Sequence, residues 1–138
     1  MKRINLDDCH FHDLFINGID YNGELLVFHM PENHYEDIHS DLSVEMRVEE
    51  DDLSIYYFKQ YYRFGNVKIR GKELSLSHLK SLFKKGYKIQ IVETVVTTDS
   101  NFIVFDCVLF PYSRGRGVYK KIILKVYCED GYLSLNKQ

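Results

Sequence analysis

The sequence predicts a mainly β domain of the α+β class, an antiparallel meander that forms a sandwich or a partly open barrel of about eight strands. Apolar and polar residues alternate with period two along most of the chain, and turn-forming residues separate the alternating runs. One segment near residues 75–86 has the period of a short amphipathic helix. The 138 residues contain no linker or internal repeat, so residues 1–138 are expected to form a single domain.

Alternation is clearest over residues 42–48, where Leu42, Val44, Met46 and Val48 are separated by polar residues. This pattern is typical of an antiparallel strand with one solvent-exposed face. Further β-rich runs cover residues 11–16, 24–30, 53–64, 67–70, 87–97, 102–110, 118–128 and 132–135. The segments between them are predicted hairpin loops, namely Asn17-Gly18, Asn22-Gly23, 50–52, Gly65-Asn66, 99–101, 113–117 and Asp130-Gly131.

The predicted strand over residues 53–64 carries an unusual number of aromatic residues. One face holds Tyr57, Lys59, Tyr61 and Arg63, and the other holds Tyr56, Phe58, Gln60, Tyr62 and Phe64. We expect the second set to face the core. The first set interleaves aromatic rings with cations, so Tyr57 and Tyr61 are candidate protein-binding residues; the alternative is a hydrated sheet face on which the tyrosines lie across their neighbours.

The predicted helix places Leu79, Leu82 and Phe83 on one face and ends at Gly86. Either Ser75 or Ser77 is expected to be its N-cap.

Composition excludes several classes of protein. Hydrophobic residues make up 45% of the chain and only 2 residues are proline, which excludes a disordered or low-complexity chain. The first residues turn acidic before any apolar segment of signal-peptide length, and no apolar run approaches the ~20 residues of a membrane span. We therefore expect a soluble cytoplasmic protein without a membrane partner.

The three cysteines, Cys9, Cys107 and Cys128, are odd in number and widely separated. They fit neither a disulfide framework nor a CxxC pair, and we expect them to be small buried hydrophobic residues.

Charge is distributed unevenly along the chain. Residues 1–58 contain three bases and fourteen acids, a net charge of −11, whereas residues 59–138 contain fifteen bases and six acids, a net charge of +9. Either the two halves pack together and neutralise each other, or a charged face recruits a partner of opposite sign. The candidate acidic face consists of Glu32, Glu36, Asp37, Asp41, Glu49, Glu50, Asp51 and Asp52.

Histidines cluster in the acidic half, where His10, His12, His34 and His39, with His29, are candidate metal ligands. Imidazole binds zinc, copper, iron and nickel, so a metal-binding protein or a metal-dependent enzyme is one alternative hypothesis. No HExxH or facial-triad spacing is present, and no cofactor is predicted.

A basic loop supports a second alternative, binding of RNA or another polyanion. Arg114 and Arg116 alternate with glycines, and Lys120 and Lys121 follow, so all four are candidate anion ligands. An ordinary long hairpin loop explains the same residues. The pI of about 6.3 and the lack of an RNP-type motif argue against nucleic acid as the partner.

No catalytic site is predicted. The consecutive acids of residues 49–52 are typical of a solvated turn, and Cys9 and His10, as neighbours in a strand, point in opposite directions. Whether the chain is an enzyme is left open.

The opening segment from Ile4 to Ile16 contains Asp8-Cys9-His10 and is followed by a turn and the apolar run Leu25-Leu26-Val27-Phe28. This start, about 30 residues in all, resembles that of small bacterial β-rich proteins of unknown function, some of which are similar to immunity proteins encoded beside polymorphic toxins. The resemblance implies a cytoplasmic inhibitor that binds one cognate toxin, with no catalytic residues to carry over.

The leading hypothesis is a non-enzymatic protein-binding module, an immunity-type inhibitor or an adaptor, that uses its acidic segment against a basic partner. The predicted contact residues are Glu36, Asp37, Glu49, Glu50, Asp51, Asp52, Tyr57 and Tyr61. A homo-oligomer is also compatible with the sequence.

Overall fold

The computed structural model describes the backbone of residues 2–5, 11–30, 34–35, 38–97, 101–112, 118–128 and 131–137, and the side chains of residues 11–30, 42–97, 101–112 and 118–128. The described residues form twelve strands and one α-helix. The strands are β1 (Lys2–Asn5), β2 (Phe15–Ile16), β3 (Gly18–Tyr21), β4 (Leu25–Met30), β5 (His34–Tyr35), β6 (Ile38–Arg47), β7 (Leu53–Arg63), β8 (Asn66–Leu74), β9 (Lys88–Val96), β10 (Phe102–Phe110), β11 (Tyr119–Tyr127) and β12 (Gly131–Lys137). The helix is α1 (Leu76–Lys84).

The strands form two antiparallel sheets of six strands each. The first sheet has the order β1-β12-β6-β4-β3, with β5 paired to β6, and the second has the order β2-β9-β10-β11-β7-β8. Neither sheet closes on itself within the described residues. The predicted mainly β fold with one helix is confirmed, and of the two predicted forms the structure is the sandwich.

The predicted hairpins are confirmed where consecutive strands are neighbours, as for β3–β4, β7–β8 and β9–β10–β11. Asn17-Gly18 is not a hairpin loop, because Phe15–Ile16 pairs with β9 in the second sheet whereas Gly18–Tyr21 pairs with β4 in the first. The Asn17 N–H donates to the His29 carbonyl at 2.8 Å and holds this crossing in place. The predictions of hairpin loops at 50–52 and at Asp130-Gly131 are also wrong, because the chain crosses between the sheets from β6 to β7 and from β11 to β12.

The two sheets share one hydrophobic core. Phe28 of the first sheet meets Phe105 of the second edge to face, with ring centroids 5.2 Å apart, and Phe11 lies 6.1 Å from Phe105. All three phenylalanines are buried. The residues that alternate over 42–48 point into this core, as predicted, and are Leu42, Val44, Met46 and Val48.

The predicted orientation of the aromatic strand β7 is wrong. Ile55 is buried and Tyr57 packs against the core, so the face with Tyr57 points inward. On the opposite face Tyr62 is 57% exposed, and Phe64, just beyond β7, is 91% exposed. Both faces of this strand are aromatic, so the composition of β7 does not decide its orientation; the apolar residue at position 55 does.

Helix α1 begins at the N-cap Ser75, whose hydroxyl accepts a hydrogen bond from the His78 N–H at 3.1 Å. Leu79 is fully buried, and Leu82 and Phe83 pack against the core, as predicted. The chain leaves the helix through Gly86 at a φ of +93°, a conformation that favours glycine.

Two of the cysteines are the buried hydrophobic residues that were expected. Cys107 and Cys128 are buried, and burial raises the pKa of the Cys107 thiol, with a smaller contribution from the charge of Asp106. Cys9 lies outside the described residues.

Replacing Phe105 by alanine is expected to lower the free energy of unfolding by about 3–5 kcal/mol, because a buried aromatic ring that contacts both Phe11 and Phe28 leaves a cavity. Urea unfolding of the variant measures this. Tyr119→Ala on β11 of the same sheet, where the ring is 56% exposed, is the control and should cost less than about 1 kcal/mol. Equal losses for the two variants would contradict the assignment of Phe105 to the shared core.

Candidate functional site

Four consecutive acids, Glu49, Glu50, Asp51 and Asp52, form the crossing from β6 to β7 and are called the acidic turn. The turn closes on itself: the Glu49 N–H donates to the Asp52 carboxylate at 2.7 Å, and the Asp52 N–H donates to the Glu49 carbonyl at 3.1 Å. Glu50 and Asp51 take no part in these bonds, are exposed, and form no ion pair within the described side chains. Their charges are therefore available to a partner.

A cleft of about 340 Å³ is lined by acids of the turn and by Glu73 on one part of its wall, and by apolar side chains that include Tyr21, Leu53 and Leu76 on another. The Tyr21 hydroxyl donates to the Val48 carbonyl at 3.1 Å. Loss of hydration raises the pKa of Tyr21, and the negative charges of the acidic turn raise it further. The field of the acidic turn therefore reaches the aromatic wall of the cleft.

The second charged surface lies on the inward-facing side of β7, beyond the core. We call it the cationic face; its members are Lys59 and Arg63 of β7, Lys68, Arg70 and Lys72 of β8, and Lys120 of β11. Five of the six side chains are exposed and Lys120 is half-buried. None of them forms an ion pair with a carboxylate in the described part of the chain.

Strand register brings these cations together. Lys59 lies directly opposite Lys120 on one side and Arg70 on the other. The tyrosines lie among them: Lys72 is 5.8 Å from the ring centroid of Tyr57, and Lys59 and Arg70 are 5.9 and 6.0 Å from that of Tyr61. Loss of hydration raises the pKa of Tyr57, which packs against the core. Tyr57 and Tyr61 thus belong to a larger basic surface than the sequence predicts.

The hairpin that carries the cationic face extends past its neighbour. The last β7–β11 pair joins Gln60 to Tyr119, whereas β7 continues to Arg63. A two-residue turn of Phe64 and Gly65, with φ of +51° and +77°, joins Arg63 to Asn66. Arg63 and Asn66 face each other across this turn.

The two charged surfaces lie at different positions along one strand. The acidic turn immediately precedes β7, and Arg63, the last residue of β7, lies 10 residues after its first residue, Leu53. At ~3.3 Å per residue, Arg63 lies roughly 33 Å from the start of β7, whereas Lys72, opposite Tyr57, lies roughly 13 Å from it. The cationic face therefore covers most of the length of β7 beyond its first residues.

The described side chains of the candidate histidines bind different partners and do not form a cluster. The His12 Nδ1 lies 2.6 Å from the Val92 carbonyl oxygen and its Nε2 3.3 Å from Asp13, while His29 pairs with Asp20 at 2.7 Å. The backbones of His34 and His39 are partners in the β5–β6 pair, but their side chains, and all of His10, lie outside the description. Among the described residues there is no group of three or more metal-ligating side chains.

The predicted anion-binding residues are divided by the fold. Lys120 joins the cationic face, whereas Lys121 lies on the opposite face of β11 with its Nζ 3.6 Å from the Asp106 carboxylate. Arg114 and Arg116 lie outside the described residues, as do the predicted contact residues Glu36 and Asp37.

Sequence reasoning missed Lys68, Arg70 and Lys72. The signal that could have found them is the predicted turn at Gly65-Asn66. The observed loop is Phe64-Gly65, one residue earlier than predicted, and it sets Lys68 opposite Tyr61 and Arg70 opposite Lys59, so the cations of β8 and β7 share one face.

No protein-family model, curated protein or solved structure matches this chain. Within the described residues, no helix is long and apolar enough to span a membrane.

Neutralising the two exposed acids, in the double variant Glu50→Gln/Asp51→Asn, is expected to lower the pKa of Tyr21 because two charges that oppose the phenolate are gone. Loss of hydration is the larger cause, so the pKa stays above the ordinary value of 10.0. A pH titration of the tyrosine ring carbons by NMR measures it. The control variant Glu45→Gln/Glu93→Gln removes two charges elsewhere and should leave Tyr21 unchanged; an equal decrease in both variants would contradict a local field.

Proposed function

We propose that this protein is a non-enzymatic protein-binding module, an immunity-type inhibitor or an adaptor, whose acidic turn contacts a basic surface of its partner. The observation that carries the proposal is the pair Glu50 and Asp51, exposed and without an ion pair in the described structure, which line a cleft together with apolar side chains. The hydrogen bonds between Glu49 and Asp52 already close the turn. The charges of Glu50 and Asp51 are not needed for that closure.

The cleft beside the acidic turn suits a lysine or arginine side chain. Such a side chain has an apolar stem, which Tyr21, Leu53 and Leu76 can contact, and a charged head, which the carboxylates can bind. Arginine is also among the residues that contribute most to binding at interfaces.

Charge separation along β7 favours fast association with a basic partner in one orientation. The acidic turn attracts a positive surface, and the cationic face, which extends from roughly 13 Å to roughly 33 Å beyond the start of β7, repels it. Complementary fields of this kind raise the association rate and select against wrong partners.

The proposal is tested by cross-linked capture of partners from the source cell, followed by affinity measurement on the purified pair. We expect a partner with a basic surface whose affinity for Glu50→Gln/Asp51→Asn is about tenfold lower than for the unaltered protein, mostly through slower association. The difference should shrink as the salt concentration rises, since salt screens exposed charges.

The variant Glu45→Gln/Glu93→Gln serves as the matched control, because it removes the same net charge away from the acidic turn. Its affinity for the partner should stay within about twofold of the unaltered protein. Equal losses in the two variants, or no loss in either, would contradict the proposal.

A further inference from the structure

The edge of the second sheet formed by β8 is a second surface on which a partner could bind. β8 pairs with β7 on one side and, among the described strands, with none on the other. Asn66 through Glu73 are exposed, so both faces of this strand are open along eight residues. An edge strand of this length offers a row of unpaired backbone N–H and C=O groups.

Register indicates which backbone groups are free. A two-residue turn closes on a pair that exchanges both hydrogen bonds, here Arg63 and Asn66. Hydrogen-bonded pairs then alternate along the hairpin, so the groups of Val67, Ile69 and Gly71 point away from β7. A strand added at this edge would pair with those residues.

The two faces of β8 differ in chemistry. Lys68, Arg70 and Lys72 point to the cationic face. The opposite face presents Val67 and Ile69, which are 48% and 66% exposed.

The open apolar face continues at Gly71, where a side-chain Cβ would lie 2.6 Å from the ring of Phe58. The Phe58 ring of β7 therefore covers Gly71 of β8. The apolar surface formed by Val67 and Ile69 is continuous with this ring.

We propose that β8 binds an extended segment of a partner protein in which acidic and apolar residues alternate. Side chains of a paired strand alternate between the faces, so every second residue of the bound segment would meet the cations and the others would meet Val67 and Ile69. Main-chain hydrogen bonds supply affinity, and the two faces supply the sequence preference. The site is separate from the acidic turn, and the inference does not depend on the proposed function.

Protection of an exposed edge does not account for all the cations. Lysines on an edge strand discourage pairing between copies, which explains the cations of β8. Lys59 and Lys120 lie on the interior strands β7 and β11, where no edge needs protection, and like charges directly opposite each other are destabilising. Carboxylates of a segment paired with β8 would lie ~10 Å from the strand of Lys59 and ~14 Å from that of Lys120, and would lower that repulsion through their field without direct contact.

The same charges disfavour two other occupants. An antiparallel pair of β8 strands from two copies would set one row of cations against the other. A nucleic acid needs open aromatic ring faces for base stacking, whereas the Tyr61 ring on the cationic face already has Lys59 and Arg70 about 6 Å from its centroid.

Fluorescence polarisation with three synthetic probes tests the inference on the full chain. The probes are an eight-residue peptide alternating Glu and Val, a peptide with the same residues in two blocks, and a ten-nucleotide oligouridylate. We expect the alternating peptide to bind at least about fivefold more tightly than the block peptide, and the oligouridylate to bind more weakly than either. Hydrogen exchange at Val67, Ile69 and Gly71 should slow when the alternating peptide is bound.

The variant Lys68→Gln/Arg70→Gln should weaken binding of the alternating peptide about fivefold to tenfold. Lys84→Gln/Lys85→Gln, at the exposed end of α1, removes the same charge and should change it less than about twofold. Circular dichroism confirms that both variants are folded.

Three results would overturn the inference. Equal binding of the two peptides without amide protection would show a purely electrostatic contact. Tighter binding of the oligouridylate would assign the cationic face to nucleic acid. A dimer in sedimentation velocity that Lys68→Gln/Arg70→Gln disrupts would assign it to a second copy of the chain.

Discussion

The shared hydrophobic core, in which Phe28 of the first sheet meets Phe105 of the second, holds the two sheets face to face and decides which side of each strand is open to charged residues. Each sheet gives one face to the shared core, so side chains at alternate positions must be apolar wherever the sheets overlap. Along β7 the same inward face changes with distance from the core: Ile55 is buried, Tyr57 is half-buried, and Lys59 and Arg63 are exposed. The cationic face is thus the part of the inward surface that the core does not reach.

β7 connects the two charged surfaces and keeps them apart. It begins at the acidic turn, pairs with β11 along Leu53–Gln60 and pairs with β8 along Ile55–Arg63. These pairings fix the backbone positions from which the charged side chains of β7 extend. Like charges gathered at each end lower stability slightly, while the field between the ends orients a charged partner before contact. Lys80 of the basic half pairs with Asp20 of the acidic half at 3.4 Å, whereas the exposed acids Glu50 and Asp51 and the cationic face form no such pair among the described side chains.

Sequence reasoning reached the parts of the fold that depend on local patterns. Period-two alternation located the long strands, and helical spacing with a serine N-cap located α1. It failed where one local sequence pattern is compatible with two different three-dimensional arrangements. Asn17-Gly18 indicates a turn, but not which sheet the next strand joins. Alternation over 56–64 predicts two aromatic faces, but not which of them is buried. Only the β7 part of the cationic face was predicted. Lys68, Arg70 and Lys72 come close to Lys59 through the pairing of β8 with β7, which spacing along the chain does not show.

If the acidic turn and the cationic face keep fields of opposite sign, a map of the surface potential will show both. Amide proton relaxation by NMR, compared between a cationic and an anionic nitroxide probe, reports the potential at each residue. We expect amides of residues 49–52 to be relaxed more strongly by the cationic probe and amides of residues 59–72 by the anionic probe. Similar relaxation by both probes in both segments would show that the two charged surfaces neutralise each other, and would rule them out as separate interaction surfaces.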